Sequence, residues 1–241
     1  MKTKRLMVLA VVLAAALSLP VGAKACIVKY SITVSADNGV NQAEQTFSGI
    51  GYTDADDRFI WVLDNQVSIL DGFIESLKLT TKVDPEVGIE FGVRAGSSAT
   101  TFNILSDVVS FDPLVNPTAY ASAGITVTDR PAVSGAAITG LLLGGKTHQA
   151  RYNGSSVFAN LVDGFSIPSG TVSNSEEKGN DFSMFTINDT LTSIESEFNF
   201  KLSARDSASG TSNFVVVPEP ATITLFIAAG VLSLIRKRRV G

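Results

Sequence analysis

The sequence predicts an all-β fold, an antiparallel β-sandwich or jelly roll, lying between two hydrophobic termini. Three features lead there. Apolar residues recur with a period of two in short runs, and turn-forming clusters separate those runs at roughly 8–12 residue spacing. Between the termini no stretch keeps a helical period for more than a turn or two. The 241-residue length suits one sizeable domain, and no internal repeat or Pro-rich linker divides it.

Taken in order, the first strand is residues 27–34, followed by a turn at Ala36, Asp37, Asn38 and Gly39. The apolar runs at 59–63 and 73–80 follow, with Trp61 expected in the core rather than on a sugar-stacking surface. After Asp84 and Pro85, the residues Val87, Ile89, Phe91 and Val93 alternate with Gly88, Glu90, Gly92 and Arg94. That is the pattern of a half-buried antiparallel strand. Residues 124–129 form another such run, and further turns are expected at Asn153-Gly154, Asp163-Gly164 and Pro168-Ser169-Gly170. Residues 159–183 contain Pro168 and the polar run 173–180, and read as a long mobile loop. The last hairpin is expected to run up over 197–205, turn over 206–210 and return over 211–217.

Composition narrows the functional classes. One Cys excludes a disulfide scaffold and a cysteine-based zinc site, and one His excludes a multi-histidine metal centre. The chain is 45% hydrophobic with mean hydropathy +0.26, and the apolar excess sits at its two ends. Residues 26–217 hold 11 basic and 22 acidic residues, a net charge of −11. A body that acidic repels phosphate backbones and anionic lipid surfaces, so no nucleic-acid partner is expected. Cations, basic polymers and neutral glycans suit it better.

The first 25 residues have the order of a secretory signal peptide: a basic start (Lys2, Lys4, Arg5), an apolar stretch, Pro20 and a small-residue cleavage site. Ala23-Lys24-Ala25 places the cut between Ala25 and Cys26. Lipidation of the new terminal Cys26 is the alternative, although Lys24 puts a charge where lipid-modified cysteines carry small or apolar neighbours.

At the other end Pro218, Glu219 and Pro220 precede fifteen uncharged, mostly apolar residues, 221–235. As a helix they extend about 22 Å, short of the ~30 Å hydrocarbon core. Such a span crosses only with local thinning or snorkelling side chains. Arg236, Lys237, Arg238 and Arg239 then act as a stop-transfer cluster that stays on the cytoplasmic side, so residues 26–217 lie outside the inner membrane. This ordered set (Pro-Glu-Pro, short apolar helix, basic tail, on a chain opening with a signal peptide) resembles the PEP-CTERM sorting domain of Gram-negative bacteria. The resemblance implies signal peptidase and an exosortase as partners during export, transient inner-membrane insertion, and cutting near Pro218–Pro220. It covers about a tenth of the chain, 218–241, and concerns routing alone.

Within 26–217, Asp54, Asp56 and Asp57 put three carboxylates in four residues, read as a solvated acidic turn with calcium as the candidate cation. Gly140, Gly145, Lys146 and Thr147 fit the letters of a phosphate-binding loop, but the residues between are Leu-rich and no apolar helix follows. They read as a hairpin with a Gly-Gly turn. His148 has no evident nucleophile beside it in sequence. Glu75 with Glu90, or Glu195 with Glu197, offer carboxylate pairs for glycosidase chemistry; Glu195 and Glu197 share one strand face about 7 Å apart. No catalytic residue and no cofactor are assigned. The expectation is an exported, non-enzymatic component of the cell surface or extracellular polysaccharide matrix, of the biofilm type. A carbohydrate-binding module is the alternative, then a glycan-active hydrolase.

Overall fold

The computed structural model describes residues 31–218 apart from residue 83 and residues 131–134. The described residues belong to one compact unit made of two antiparallel sheets of nine strands each, so the expected all-β two-sheet architecture is present. The signal segment 1–25, Cys26, residues 219–241 and both expected terminal helices lie outside the described residues.

Sheet one contains β1 (Ser31–Asp37), β2 (Gln42–Ser48), β8 (Thr100–Ser106), β9 (Val109–Val115), β11 (Ala136–Gly140), β12 (Lys146–Tyr152), β13 (Ser156–Asp163), β14 (Phe165–Ile167) and β17 (Thr190–Leu202). Its spine runs β13-β12-β17-β8-β1-β2. Sheet two contains β3 (Tyr52–Thr53), β4 (Arg58–Val62), β5 (Val67–Ile69), β6 (Gly72–Lys82), β7 (Glu86–Arg94), β10 (Thr118–Thr128), β15 (Thr171–Lys178), β16 (Phe185–Thr186) and β18 (Ser207–Val217). Its spine runs β15-β10-β18-β7-β6-β4-β3.

The period-two runs settle the core. Val87, Ile89, Phe91 and Val93 of β7 are buried, as are Phe198, Phe200 and Leu202 of β17. Aromatic rings join the sheets. Phe91 of sheet two meets Phe198 edge-on at 4.9 Å and stacks on Phe200 at 5.6 Å. Phe158 of sheet one stacks on Phe214 of sheet two at 5.2 Å. Each such pair contributes on the order of 1 kcal/mol beyond its buried area.

Three sequence expectations are corrected. The last two strands are not a hairpin: β17 lies in sheet one and β18 in sheet two, so the chain arches across the core between Leu202 and Ser207. Asp206, 1% exposed, fixes the arch by accepting from Ser203 Oγ and from the Arg130 N–H at 3.2 Å. The Ser/Ala/Gly run that reads as a turn is the start of β18. Small side chains are needed there because a Cβ on Gly210 would lie 2.5 Å from the Phe91 ring.

The second correction concerns the Gly-rich segment. β11 and β12 both pair with the same side of β17, Gly140 opposite Phe200 and His148 opposite Phe198. Residues 141–145 are an excursion from one interrupted strand, with Gly144 and Gly145 at φ 78° and 76°, rather than a hairpin. No α-helix follows, so the phosphate-loop reading has no structural counterpart.

The third concerns 159–183, where β14 and β15 stand in place of most of the expected long loop. β15 is polar because it is an edge strand with both faces wet. It pairs with β10 along eight residues, with a 2.7 Å Thr126–Ser173 hydroxyl bond and a 3.0 Å Thr128–Thr171 one. It also closes the side of the sandwich. Glu176 Oε2 accepts the Val162 N–H at 2.7 Å, and Lys178 Nζ donates to the Phe158 carbonyl at 2.6 Å. Val162 is β-branched at φ 63°, and the turned-out N–H held by Glu176 maintains that strained conformation.

Candidate functional site

Asp54, Asp56 and Asp57 form the tip between β3 and β4, where Asp54 Oδ1 accepts the N–H groups of Asp56 (2.9 Å) and Arg58 (3.0 Å). Arg58 pairs with Asp54 at 2.8 Å and Asp56 at 3.1 Å. The Arg58 backbone bond heads the causes that hold the Asp54 carboxyl below the usual range. Two of the three carboxylates are thus committed to one guanidinium, and no cluster of three metal-ligating acids, His or Cys occurs among the described residues.

Glu75 and Glu90 are not brought together as an acid–base pair. Glu75 lies 3.7 Å from Arg94 and 3.5 Å from Arg130, whereas Glu90 pairs with Lys78 at 2.6 Å.

Glu195 and Glu197 do share one face, the outer face of β17. Between them stands Arg151 of β12, whose Nε is 3.1 Å from Glu195 Oε1 and whose Nη2 is 3.2 Å from Glu197 Oε2. Both glutamates are 6% exposed. Burial pushes the Glu195 carboxyl up; the Arg151 charge opposes this and the Glu197 charge adds to it. The fork belongs to a polar row running across four strands. Asn160 of β13 accepts from Gln149 of β12 at 2.8 Å, and Asn103 of β8 donates to Glu197 at 3.0 Å. Beyond Asn103 the face opens into a shallow groove of about 450 Å³ edged by Asp37, Gln42 and Glu44. This flat polar surface of amides and carboxylates is the best candidate site on the molecule. The acids are held as partners of a base, and the row can offer amide and carboxylate hydrogen bonds. Sequence reasoning found the two glutamates and missed Arg151, Gln149, Asn103 and Asn160. No local motif marks them: Arg151 and Asn103 reach Glu197 through the β12–β17 and β17–β8 pairings, across 46 and 94 residues, and Asn160 joins through the β12–β13 pairing with Gln149.

His148 is fully buried, between the sheets. Its Nε2 is 2.9 Å from Ser196 Oγ, which is 3.0 Å from Ser212 Oγ in the opposite sheet. Ser106 Oγ accepts the Ser196 N–H at 3.0 Å. A histidine beside a serine has the letters of a nucleophile and base, but no carboxylate orients this one, and its Nδ1 has no partner among the described residues. Its ring packs on Phe198 at 4.7 Å. The arrangement is a polar pin through the core. Desolvation alone pushes the imidazole down to about 3, so it is neutral at physiological pH.

Of the sorting residues, Pro218 is exposed and follows directly on β18. Glu219, Pro220, Arg236, Lys237, Arg238, Arg239, Ala25 and Cys26 lie outside the described residues. Among the described residues no helix is long and apolar enough to cross a membrane.

No protein-family model and no curated protein matches the chain. A chain in the structure of infectious bursal disease virus Gx strain is similar over 84% of this chain and 68% of its own length, at 11% identity and TM-score 0.25. A likeness at that level carries no argument.

Two predictions follow from the buried groups. A folded-state pKa below the unfolded value means that His148 withholds a proton the unfolded chain takes up. Stability is therefore complete above about pH 6.5 and falls on acidification, with a slope approaching about 1.4 kcal/mol per pH unit. In chemical denaturation between pH 6.5 and 4.5, the native chain should lose that increment relative to His148→Gln; parallel curves would contradict it. Replacing Arg151 by Met leaves two buried carboxylates facing each other. A loss on the order of 3 kcal/mol is expected at pH 7.5, shrinking as the pH falls and the carboxyls protonate. Adding Glu195→Gln and Glu197→Gln should recover most of it, and a loss independent of pH would refute the assignment.

Proposed function

We propose that the chain is an exported protein of the cell surface or extracellular matrix of a Gram-negative bacterium, carrying a non-enzymatic β-sandwich over 26–217. In this reading the signal peptide, residues 1–25, is cut before Cys26. The 218–241 segment, with its membrane helix at 221–235, is a PEP-CTERM signal processed by an exosortase. The released domain then joins the exopolysaccharide matrix.

The observation that best supports this reading is the position of β18. This strand ends at Val217, one residue before the Pro-Glu-Pro motif, and Pro218 is exposed. It is also a central strand, paired along all eleven residues with β10 and along nine with β7. A membrane-held tail would thus pull on a central strand of sheet two that is paired along its whole length, and a cut at the motif would spare every pair. The non-enzymatic part is supported by the carboxylates, which stand with Arg58, Lys78, Arg94, Arg130 and Arg151 rather than facing one another across a cleft. The carbohydrate-binding alternative draws on the polar row over Asn160, Gln149, Glu197 and Asn103.

Intact mass of the protein recovered from culture medium or the outer surface tests the routing. Residues before Cys26 and after the Pro-Glu-Pro region should be missing; recovery only of the full-length chain in the inner membrane would overturn it. Retention of the recovered protein on a neutral polysaccharide gel would favour the carbohydrate-binding form.

A further inference from the structure

A sheet ends in strands whose outer N–H and C=O groups lack a partner strand, and stable proteins blunt such edges with charge, proline, bulges, shortness or a covering element. Nearly every edge of this sandwich is blunted. β13 and β15 cover each other through the Glu176 and Lys178 bonds. β9 contains Asp112 and Pro113. β3, β5, β14 and β16 are two or three residues long.

Among the described residues β2 carries the fewest of these devices, one charge and an inward contact of Phe47 with Trp61 of β4 at 6.1 Å. It is seven residues long, pairs with β1 without a bulge, and ends the spine of sheet one. Its sequence, Gln42 to Ser48, contains no Pro, Gly, Lys or Arg, and its one charge is Glu44, which accepts from Ser35 at 3.1 Å. Just outside the strand stand two of the most exposed apolar side chains, Val40 at 87% and Ile50 at 100%.

These features are symmetric about Gln45. A two-fold axis through Gln45, with a second β2 added antiparallel, pairs each residue with its mirror across the centre. Gln42 meets Ser48 of the second copy, Ala43 meets Phe47, Glu44 meets Thr46 and Gln45 meets itself. No like charges oppose each other, and the two exposed apolar residues fall opposite one another, Val40 against Ile50, at both ends. We propose that β2 is a homodimerisation edge, through which two copies of this chain join their first sheets into one continuous antiparallel sheet. A C2 interface must be complementary to itself, and this segment is. Each copy's acidic body opposes the approach, so the contact strengthens with salt, as screening requires. An interface of one added strand is at the small, transient end of the range.

The test is site-directed cross-linking of the full chain with Cys26→Ser as background. Gln45→Cys places one thiol beside its own copy across the axis. A short bis-maleimide should give a covalent dimer whose yield rises between about 20 and 300 mM salt. Ser173→Cys, on the covered edge β15, should give none. Adding Thr46→Glu to Gln45→Cys sets two like-charge pairs against Glu44 and should cut the yield on the order of tenfold. Adding Glu44→Lys as well turns these into opposite charges and should restore it. Circular dichroism and thermal melting of each variant establish that it is folded. No dimer from folded Gln45→Cys, equal cross-linking from Ser173→Cys, or a yield indifferent to Thr46→Glu would overturn the proposal.

Discussion

The structure depends on face-to-face contact between two sheets whose shared interior is mostly apolar, crossed by one polar pin and closed at one side by the bonds of Glu176 and Lys178. Phe91 must lie against Phe198 and Phe200, and it can do so because Gly210, from the middle of β18, leaves the ring its space. A larger residue there would force rearrangement costing about 1–3 kcal/mol. The strands that bring these residues together are β17 and β18, consecutive in the chain and in opposite sheets. Their arch, held by buried Asp206, fixes the position of each sheet on the other. The His148–Ser196–Ser212 chain sits in the same contact, a hydrogen-bonded group in otherwise dry surroundings.

Electrostatics act on a different scale. Residues 26–217 carry twice as many acids as bases, and most of the described bases serve local carboxylates. The pairs at Arg58 and Lys78 are partly open to solvent and contribute little stability. The Arg151 fork is more deeply set, and removing its base exposes the full cost of the buried acids. The remaining surplus of negative charge sets which partners approach and keeps copies of the chain apart at low salt.

Much of the fold was legible because a period of two in β7, β10 and β17 reports directly which side chains face inward. Turn chemistry was legible for the same local reason: Asn153 and Gly154 both adopt positive φ where the sequence places a turn. What failed was non-local. Nothing in residues 197–217 says that the second strand joins the other sheet, and Gly210 adds to a turn-like composition because it makes room for Phe91. β15 resembles a loop in composition because an edge strand with two wet faces has no apolar face to display. The candidate site divides along the same line. The glutamates at 195 and 197 were visible as an alternating pair, but their shared arginine depends on a long-range register that local sequence does not encode.

If the β17–β18 arch and its aromatic contact hold the two sheets together, the strands on either side of that arch should be the last to open. Native-state hydrogen exchange measures this directly. The amides of residues 198–202 and 208–216 that are bonded within the sheets should exchange only by global unfolding, with one shared free energy. Amides in β15 and in the 141–145 excursion should exchange through local opening at lower free energy. Exchange in β18 as fast as in β15, with the rest of sheet two still protected, would contradict the account.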